Sequence, residues 1–291
     1  MVSNLLMQNT FNYTVMRKIF LLLIFTLSCV SLFAQSYEEA KEAFNNGEYK
    51  TAITIAEQLT NCPEAKILLG NMYIDGLGMA HADFAKAMKY YNEAADANSA
   101  EAQYIIGSLY YSGRGLHQSY AEAAKWYEKS ALNGNVVAQS DLGEMHYRGK
   151  GIPRDYTKAV KWFEMAVEQN DAKAMFFLGG MYNSKNQGVQ TNTLKTAELW
   201  RKSAALGYPN AEFYLGQMYM IGRGGITQNA DSAIIWIDKA ANDGCVDAQF
   251  YLGEKAFAGG DVEKAKEWYG KAAEKGLQKA QDKLDAINSG L

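Results

Sequence analysis

The chain has 291 residues, of which 48% are hydrophobic and 21% are charged, a composition typical of globular proteins and not of disordered chains. Twenty-nine lysines and arginines stand against 32 aspartates and glutamates, which gives a formal net charge of −3. A chain without a basic excess is a poor candidate for binding nucleic acid. With only three prolines, the chain is neither proline-rich nor collagen-like.

The first 34 residues have the layout of a secretory signal. A short cationic segment that begins at Met16 precedes an uncharged, apolar stretch over 19–34. This pattern predicts a signal peptide over about 16–34 that is cleaved before Gln35, with residues 1–15 as an N-terminal extension. An uncleaved anchor is the alternative, but the stretch is shorter than the roughly 20 residues that span a bilayer. We therefore expect an exported protein, periplasmic or extracellular, with no membrane span in its mature form.

Three cysteines bear on anchoring and redox chemistry. Cys29 lies where a lipid-modified cysteine could follow a signal peptide, but no leucine stands three positions before it, which argues against a lipoprotein. Cys62 and Cys245 are 183 positions apart, a separation of several repeats in the array described below. The sequence therefore predicts two small buried residues and no disulfide.

Two sequence markers reveal an internal repeat. The first is a Leu-Gly or Ile-Gly pair that returns every 36 or 37 residues: Leu69-Gly70, Ile106-Gly107, Leu142-Gly143, Leu178-Gly179, Leu215-Gly216 and Leu252-Gly253. The second is an aromatic residue followed four positions later by a small one, with the aromatic residues at Tyr90, Trp126, Trp162, Trp200, Trp236 and Trp268. Two markers that keep nearly one period across six copies indicate a repeat protein.

Each repeat predicts two helices joined by a glycine-containing loop. In the third repeat, apolar residues recur at helical spacing over 136–147 and again over 156–168. Loop glycines such as Gly149 permit the positive φ that ends a helix. Four residues before the alanine that opens each second helix stands a residue that can cap a helix start: Asp83, Ser119, Asp155, Thr193, Asn229 and Asp261.

The glycine of the first marker lies inside a predicted helix, where it costs about 1 kcal/mol relative to alanine. We expect that the missing side chain lets the aromatic residue of the second marker pack against it. Burial of a ring, worth roughly 2 to 3 kcal/mol, would offset the lost propensity. A leucine at Gly179 should therefore destabilise the fold.

The markers A-x-x-x-L-G-x-M-Y, G-x-G-hydrophobic and A-x-x-W-[YF]-x-x-A-A resemble the Sel-one-like repeat (SLR) family, a relative of the tetratricopeptide repeat. The resemblance implies an all-α fold, an α-solenoid of helix-turn-helix repeats (a tetratricopeptide/Sel-one-like superhelix). Residues 37–61 resemble a tetratricopeptide unit, and 277–291 are expected to form a capping helix and tail. Six repeats are expected over 63–275, at about 63–98, 99–134, 135–170, 171–207, 208–244 and 245–275.

Two repeats depart from the family pattern in the loop between their helices. The fourth has Ser184-Lys185-Asn186-Gln187-Gly188 in place of the loop with two glycines, and the sixth shortens the loop to Gly259-Gly260-Asp261. Neither change breaks the predicted pair of helices.

The sequence carries no motif for catalysis or for a metal. No G-x-S-x-G, H-E-x-x-H, C-x-x-C or EF-hand spacing occurs. The glycine loops do not match phosphate-binding loops, because helices are predicted on both sides of them. His81 and His117 take the same position in successive loops, but two ligands on separate loops make a poor metal site. We therefore expect no enzyme, no cofactor and no metal.

In tetratricopeptide arrays the first helices line a concave groove, so the resemblance implies candidate contacts two residues before each marker leucine and five after it. Those positions carry mainly apolar and aromatic side chains. The candidate binding residues are Tyr104, Tyr111, Tyr147, Phe176, Phe213, Met220 and Phe250. The alternative is that these side chains pack between adjacent repeats.

The resemblance implies an adaptor or scaffold that holds a protein or peptide in this groove. The alternative is an extracytoplasmic, cell-wall-related binder or hydrolase of small molecules of the β-lactam type. A cysteine-rich branch of the family has been linked to β-lactams, but this chain lacks the paired cysteines of that branch. The sequence leaves the identity of the partner and the oligomeric state open.

Overall fold

The computed structural model describes residues 35–184 and 188–289, and these residues form fifteen helices. The first, α1, covers residues 35–45. The others are α2 (Tyr49–Gln58), α3 (Pro63–Asp75), α4 (Phe84–Asp96), α5 (Ala100–Ser112), α6 (Tyr120–Leu132), α7 (Val136–Arg148), α8 (Tyr156–Glu168), α9 (Ala172–Asn183), α10 (Thr193–Ala205), α11 (Pro209–Ile221), α12 (Ala230–Asn242), α13 (Val246–Ala258), α14 (Val262–Glu274) and α15 (Gln278–Asn288).

The chain divides into two compact units, with the boundary between Gln118 and Ser119. In the first unit, α2 to α5 pack each against the next helix. In the second unit, α6 to α15 do the same. Packing of consecutive helix pairs confirms the predicted all-α solenoid of helical repeats.

Side-chain caps fix where the second helices begin. Five of the six predicted caps accept a hydrogen bond from the backbone N–H three residues later, at 2.8 to 3.2 Å: Asp83, Ser119, Asp155, Asn229 and Asp261. The prediction of Thr193 is wrong by one residue. The cap is Asn192, whose Oδ1 accepts from the N–H of Lys195 at 3.0 Å.

The prediction that the marker aromatic packs on the marker glycine is right in the fourth repeat, where Gly179 faces Trp200. In four other repeats it is wrong by one residue. There the side chain against the glycine follows the marker, in the pairs Gly70–Tyr91, Gly143–Phe163, Gly216–Ile237 and Gly253–Tyr269. These four facing side chains are at most 2% exposed, whereas Trp162 and Trp236 are only half-buried.

Loop glycines end the first helices as predicted. Gly149 and Gly222 cap α7 and α11 with φ of 70° and 68°. The fourth repeat differs, because the C-cap of α9 is not a glycine. It is Ser184, whose backbone is extended. In the sixth repeat Gly259 has φ of −81°, and only three residues separate α13 from α14.

The predicted signal peptide and Cys29 lie outside the described residues. Within the described part of the chain, no helix has the length and apolar character needed to cross a membrane. Cys62 and Cys245 are both free thiols; Cys245 is buried as predicted, but Cys62 is only half-buried.

Candidate functional site

The first helices of the repeats lie side by side in the second compact unit. Helix α7 contacts α9, and α11 contacts α13, in addition to the contacts of each with its neighbouring second helices. We define the first-helix face as the surface of α7, α9, α11 and α13 that the second helices leave uncovered. Many of its side chains are half-buried. Part of each such side chain packs within the fold, and the rest remains accessible to a ligand.

An unbroken chain of aromatic contacts crosses these four helices. Successive ring centroids are 5.4 to 6.1 Å apart, within the range of favourable ring pairs. The rings, in order of contact, are Tyr147, Phe177, Phe176, Tyr214, Phe213 and Tyr251. All except Phe213 are half-buried.

The structure places the predicted binding residues of this unit in two environments. Tyr147, Phe176, Met220 and Phe250 are half-buried on the first helices. Phe213 is only 5% exposed and belongs to a core cluster with Ile237 and Trp268. The alternative interpretation, packing between adjacent repeats, therefore applies to Phe213, which has little surface available to a partner.

Contacts of Phe176 and Phe250 show how the half-buried rings are held. Phe176 packs against Trp200, Tyr208 and Tyr214 as well as its neighbour Phe177. Phe250 packs against the Tyr269 ring, and the Lys279 ammonium lies 4.1 Å from its centroid. Both rings are thus fixed in place by the next helices before any ligand binds.

Tyr104 and Tyr111 lie on α5 in the first compact unit. Both are half-buried, and both take part in interactions within the chain.

Sequence reasoning missed three aromatic residues of the first-helix face: Phe177, Tyr214 and Tyr251. Each directly precedes a marker leucine and is half-buried. One position along a helix is a rotation of about 100°, so the position next to a candidate faces a different direction. The recurrence of a ring at this position in three successive repeats was the signal that could have identified them.

Charged residues flank the aromatic chain at α7 and α9. The Lys173 ammonium lies 2.7 Å from the Asp141 carboxylate and 2.6 Å from the Glu144 carboxylate. Arg148 Nε donates to Glu144 at 2.7 Å. Arg148 and Lys173 also lie 5.7 and 5.9 Å from the centroid of the Phe177 ring. Two cations, each paired with a carboxylate, therefore lie beside one half-buried ring.

The protonation states of this cluster follow from its contacts. Burial alone would raise the pKa of Glu144, but hydrogen bonds and charge from Lys173 and Arg148 outweigh burial and lower it. Burial alone would lower the pKa of Lys173, but the carboxylates of Asp141 and Glu144 raise it. Glu144 and Lys173 therefore form a charged pair at neutral pH.

This arrangement suits contact with a polypeptide. Rigid half-buried rings supply apolar area at little cost in side-chain entropy, and they are typical anchors of protein interfaces. Arg148 uses only Nε in its ion pair and its side chain is 56% exposed, so its guanidinium can also hold a carboxylate of a bound chain. Among the described residues, no group of three or more His, Cys, Asp or Glu side chains could hold a metal ion.

Comparison with known proteins agrees with the repeat architecture. The family model described as Sel1 repeat matches six consecutive segments, residues 63–99, 100–135, 136–171, 172–208, 209–245 and 246–277. A Sel1 repeat protein from Oxalobacter formigenes has a similar structure, with 27% sequence identity, 81% of this chain and 96% of that chain covered, and a TM-score of 0.74.

A second similar structure is c5321, a protective antigen of uropathogenic Escherichia coli strains that displays an SLR fold. It is 29% identical, with 89% of this chain and 65% of that chain covered and a TM-score of 0.47. No curated protein sequence matches the chain significantly.

Proposed function

The chain belongs to the Sel1 repeat family, whose members are typically protein-interaction scaffolds, and from this premise we propose that it is a non-enzymatic adaptor that binds a protein or peptide on its first-helix face. The observation that carries the proposal is the chain of rings from Tyr147 to Tyr251, all half-buried except Phe213, with the ion cluster beside Phe177 at one side. The rings anchor the partner, and the cluster selects a chain with matching charges.

Rigidity of the site supports this function. The Phe177 ring stacks on the buried Phe163 ring at 5.5 Å with an angle of 2° between the planes. The Trp200 indole N–H donates to the carbonyl oxygen of Phe176 at 3.0 Å, which holds α10 against α9. A surface that is ordered before binding loses little conformational entropy when the partner arrives.

Site-specific photo-crosslinking tests the proposal in the native cell envelope. A photoreactive phenylalanine is incorporated at position 148 or 251 on the first-helix face, or at position 132 or 194 as matched controls. Leu132 and Leu194 lie on second helices and are 69% and 66% exposed. We expect the same cross-linked partner from both first-helix positions and no product from either control.

Cross-links formed only from positions 132 and 194 would move the binding surface to the second helices and reject the proposal.

We also expect the cross-link from the first-helix face to depend on charge. Arg148→Glu reverses the exposed cation without emptying the core, and it should weaken capture at position 251 if the cluster selects the partner.

We further propose that the protein acts after export. The apolar stretch over 19–34 supports this proposal. The mass of the protein purified from its native cells tests this point. A chain that begins at Gln35, or at its cyclised form, is the expected result. An acylated Cys29 would instead indicate a membrane-tethered form, and an intact leader would contradict export by cleavage.

A further inference from the structure

The loop between the two helices of a repeat covers the second helix of the preceding repeat. In the fifth repeat, a Cβ atom on Gly224 would lie 2.6 Å from the Thr193 carbonyl oxygen and 3.0 Å from the Ala197 Cβ, both on α10. Two residues later, Ile226 is 3% exposed and packs with Ala197, Leu215 and Met218. We call the space that Ile226 fills the loop seat.

The fourth repeat fills the same kind of space with Val189, which packs on the core cluster around Phe163 and Leu178. A branched aliphatic side chain from the loop therefore closes the core in two successive repeats, although their loop sequences differ. The loop seat is a recurring part of the array and not a peculiarity of the fifth repeat.

The sixth repeat has a loop seat but no residue to fill it. Its loop is reduced to Gly259-Gly260-Asp261, which ends before the position of Ile226 is reached. A cleft of about 480 Å³ lies at the corresponding place. Its walls include Ile234, Leu252 and Lys255, each of which is 37 positions after Ala197, Leu215 and Met218 respectively.

The far wall of the cleft is Trp268, which corresponds to the ring of Trp236 beside the filled seat of the fifth repeat. Ile234 is 38% exposed because nothing covers it. The cleft volume lies within the range of sites that hold small ligands or several peptide residues. The fold thus leaves a preformed apolar seat open at the side of α12 and α14.

Charged side chains of both signs line the cleft. Lys255 replaces the buried Met218 of the filled seat, and its side chain is exposed. Lys264 also lines the cleft, and so do the carboxylates of Asp238 and Asp261. Two ammonium and two carboxylate groups balance in charge, so the apolar walls of the cleft specify the side chain that enters.

We propose that the cleft of the sixth repeat binds a glycine-containing loop of a partner protein, which inserts a branched aliphatic side chain between Ile234 and Leu252. The template is the chain's own loop in the fifth repeat, where glycines permit the backbone to approach α10 and Ile226 enters the seat. This site is separate from the first-helix face and does not depend on the function proposed for it.

A peptide titration of the full chain tests the proposal. The probe is an acetylated and amidated peptide Gly-Arg-Gly-Gly-Ile-Thr-Gln-Asn, which copies residues 222–229, the loop of the fifth repeat. The NMR signals of the Trp268 indole and the Ile234 methyl groups are followed. We expect saturable shifts at both, no shifts at Trp200 beside the filled seat, and binding at least roughly tenfold weaker when the peptide carries serine in place of isoleucine.

A loop graft provides the matched control variant. Insertion of Gly-Gly-Ile-Thr-Gln between Gly260 and Asp261 restores the loop length of the fifth repeat and should fill the seat from within. We expect the grafted protein to keep its helix content, to unfold at a higher temperature than the natural chain, and to lose the peptide-induced shifts.

Three results would overturn the proposal. The first is the absence of saturable shifts at Trp268 with the isoleucine peptide. The second is equal binding of that peptide by the grafted protein. The third is a set of Trp268 shifts that depend on protein concentration in the absence of peptide. That result would assign the cleft to a second copy of the chain.

Discussion

In five of the first helices, one glycine determines how near the second helix lies. A Cβ atom at Gly143 would stand 2.8 Å from the Phe163 ring, and one at Gly253 would stand 2.6 Å from the Tyr269 ring. These separations are shorter than the contact distance between carbon atoms. Since Phe163 and Tyr269 are both 0% exposed, burial of a ring offsets the helix propensity that glycine loses.

The neighbouring glycines Gly179 and Gly180 form a matched pair for testing this point. Gly179→Ala puts a Cβ 2.7 Å from the Trp200 ring, which cannot move freely because its N–H is bonded to Phe176, so the free energy of unfolding should fall by about 1–3 kcal/mol. Gly180→Ala meets nothing within 4 Å and should raise it by about 0.5–1 kcal/mol. Urea denaturation measures both, and equal changes would contradict the close-approach explanation.

Glu212 stands at a position that carries glutamine in three of the six repeats. Gln103, Gln139 and Gln249, three residues before their marker residues, each donate to the backbone carbonyl oxygen eight residues earlier, at 2.9 to 3.2 Å. Glu212 is fully buried, pairs with Lys239 through Oε1, and leaves Oε2 without a hydrogen bond in the described structure. Burial raises the pKa of Glu212.

This raised pKa predicts the direction of a pH effect. A carboxyl group whose pKa is higher in the folded state stabilises the fold below its ordinary pKa of 4.5 and loses that contribution as the pH rises through the folded value. Glu212→Gln can donate to the Ala204 carbonyl oxygen as the other glutamines do, while Lys239 keeps Asp243 at 2.6 Å. We expect the variant to be as stable as the natural chain or more stable at pH 7, by up to about 1 kcal/mol.

The readout is the difference in unfolding free energy between Glu212→Gln and the natural chain, measured from pH 4 to pH 7. This difference should become more favourable to the variant as the pH rises. A variant that is less stable at pH 7 than at pH 4, relative to the natural chain, would show that the Glu212–Lys239 pair is net stabilising.

At the scale of the helix, capping residues set the start of each second helix. In α10, the buried Thr196 takes the position that alanine takes elsewhere, four residues after the cap. Its Oγ1 donates to the Gly179 carbonyl oxygen at 3.0 Å, a contact that alanine cannot make. Counting four residues back from Ala197 therefore gives Thr193, which is one residue after the cap, Asn192.

Alanine substitutions at the two positions distinguish the assignments. Asn192→Ala removes the acceptor of the Lys195 N–H and should lower the free energy of unfolding by about 1 kcal/mol. Thr193→Ala lies inside the first turn and should change it by less than about 0.5 kcal/mol. Thermal or urea denaturation decides, and a larger loss for Thr193→Ala would restore the original assignment.

Helix α15 differs from the first helices of the six repeats at the position of the marker glycine. Ala280, Leu284 and Asp285 stand 32 positions after Ala248, Leu252 and Gly253, so α15 corresponds to the first helix of a further repeat. Asp285 takes the place of the glycine and is exposed. A side chain at this position prevents the close approach of another second helix, which suits a terminal cap.

The helices were predictable because the same weak sequence signals recur in each repeat. Six copies of the Leu-Gly or Ile-Gly marker and five correct caps identify the helix pairs, although one copy alone would be ambiguous. The partner of the glycine was not predictable to the residue. Trp162 and Phe163 are both aromatic, and only packing shows that Phe163 faces Gly143 while Trp162 stays half-buried.

At the scale of the whole molecule, the candidate site was predictable only in part. The sequence predicts that the first helices form the binding surface and selects rings such as Tyr147 and Phe176, which are half-buried on α7 and α9. It could not separate the buried Phe213 from the half-buried Tyr214 beside it, since adjacent helical positions differ by about 100°. The ion cluster also escaped prediction, because Lys173 meets Asp141 and Glu144 across two helices.

The first-helix face and the open seat of the sixth repeat give one chain two different surfaces for partners. The first consists of rings held rigid by neighbouring helices, and the second is a cleft left by a shortened loop. Two separate contacts of modest strength on one partner would raise the overall affinity through avidity.

Oxidative footprinting of the full chain with the cross-linked partner, once identified, tests the central claim most directly. Hydroxyl-radical labelling followed by mass spectrometry reads individual side chains in the free and bound protein. We predict that labelling of Phe177, Tyr214 and Tyr251 falls severalfold in the complex, while labelling of Trp126 and Trp162 on the second helices is unchanged. Protection of those tryptophans with unchanged labelling of the first-helix rings would contradict the account.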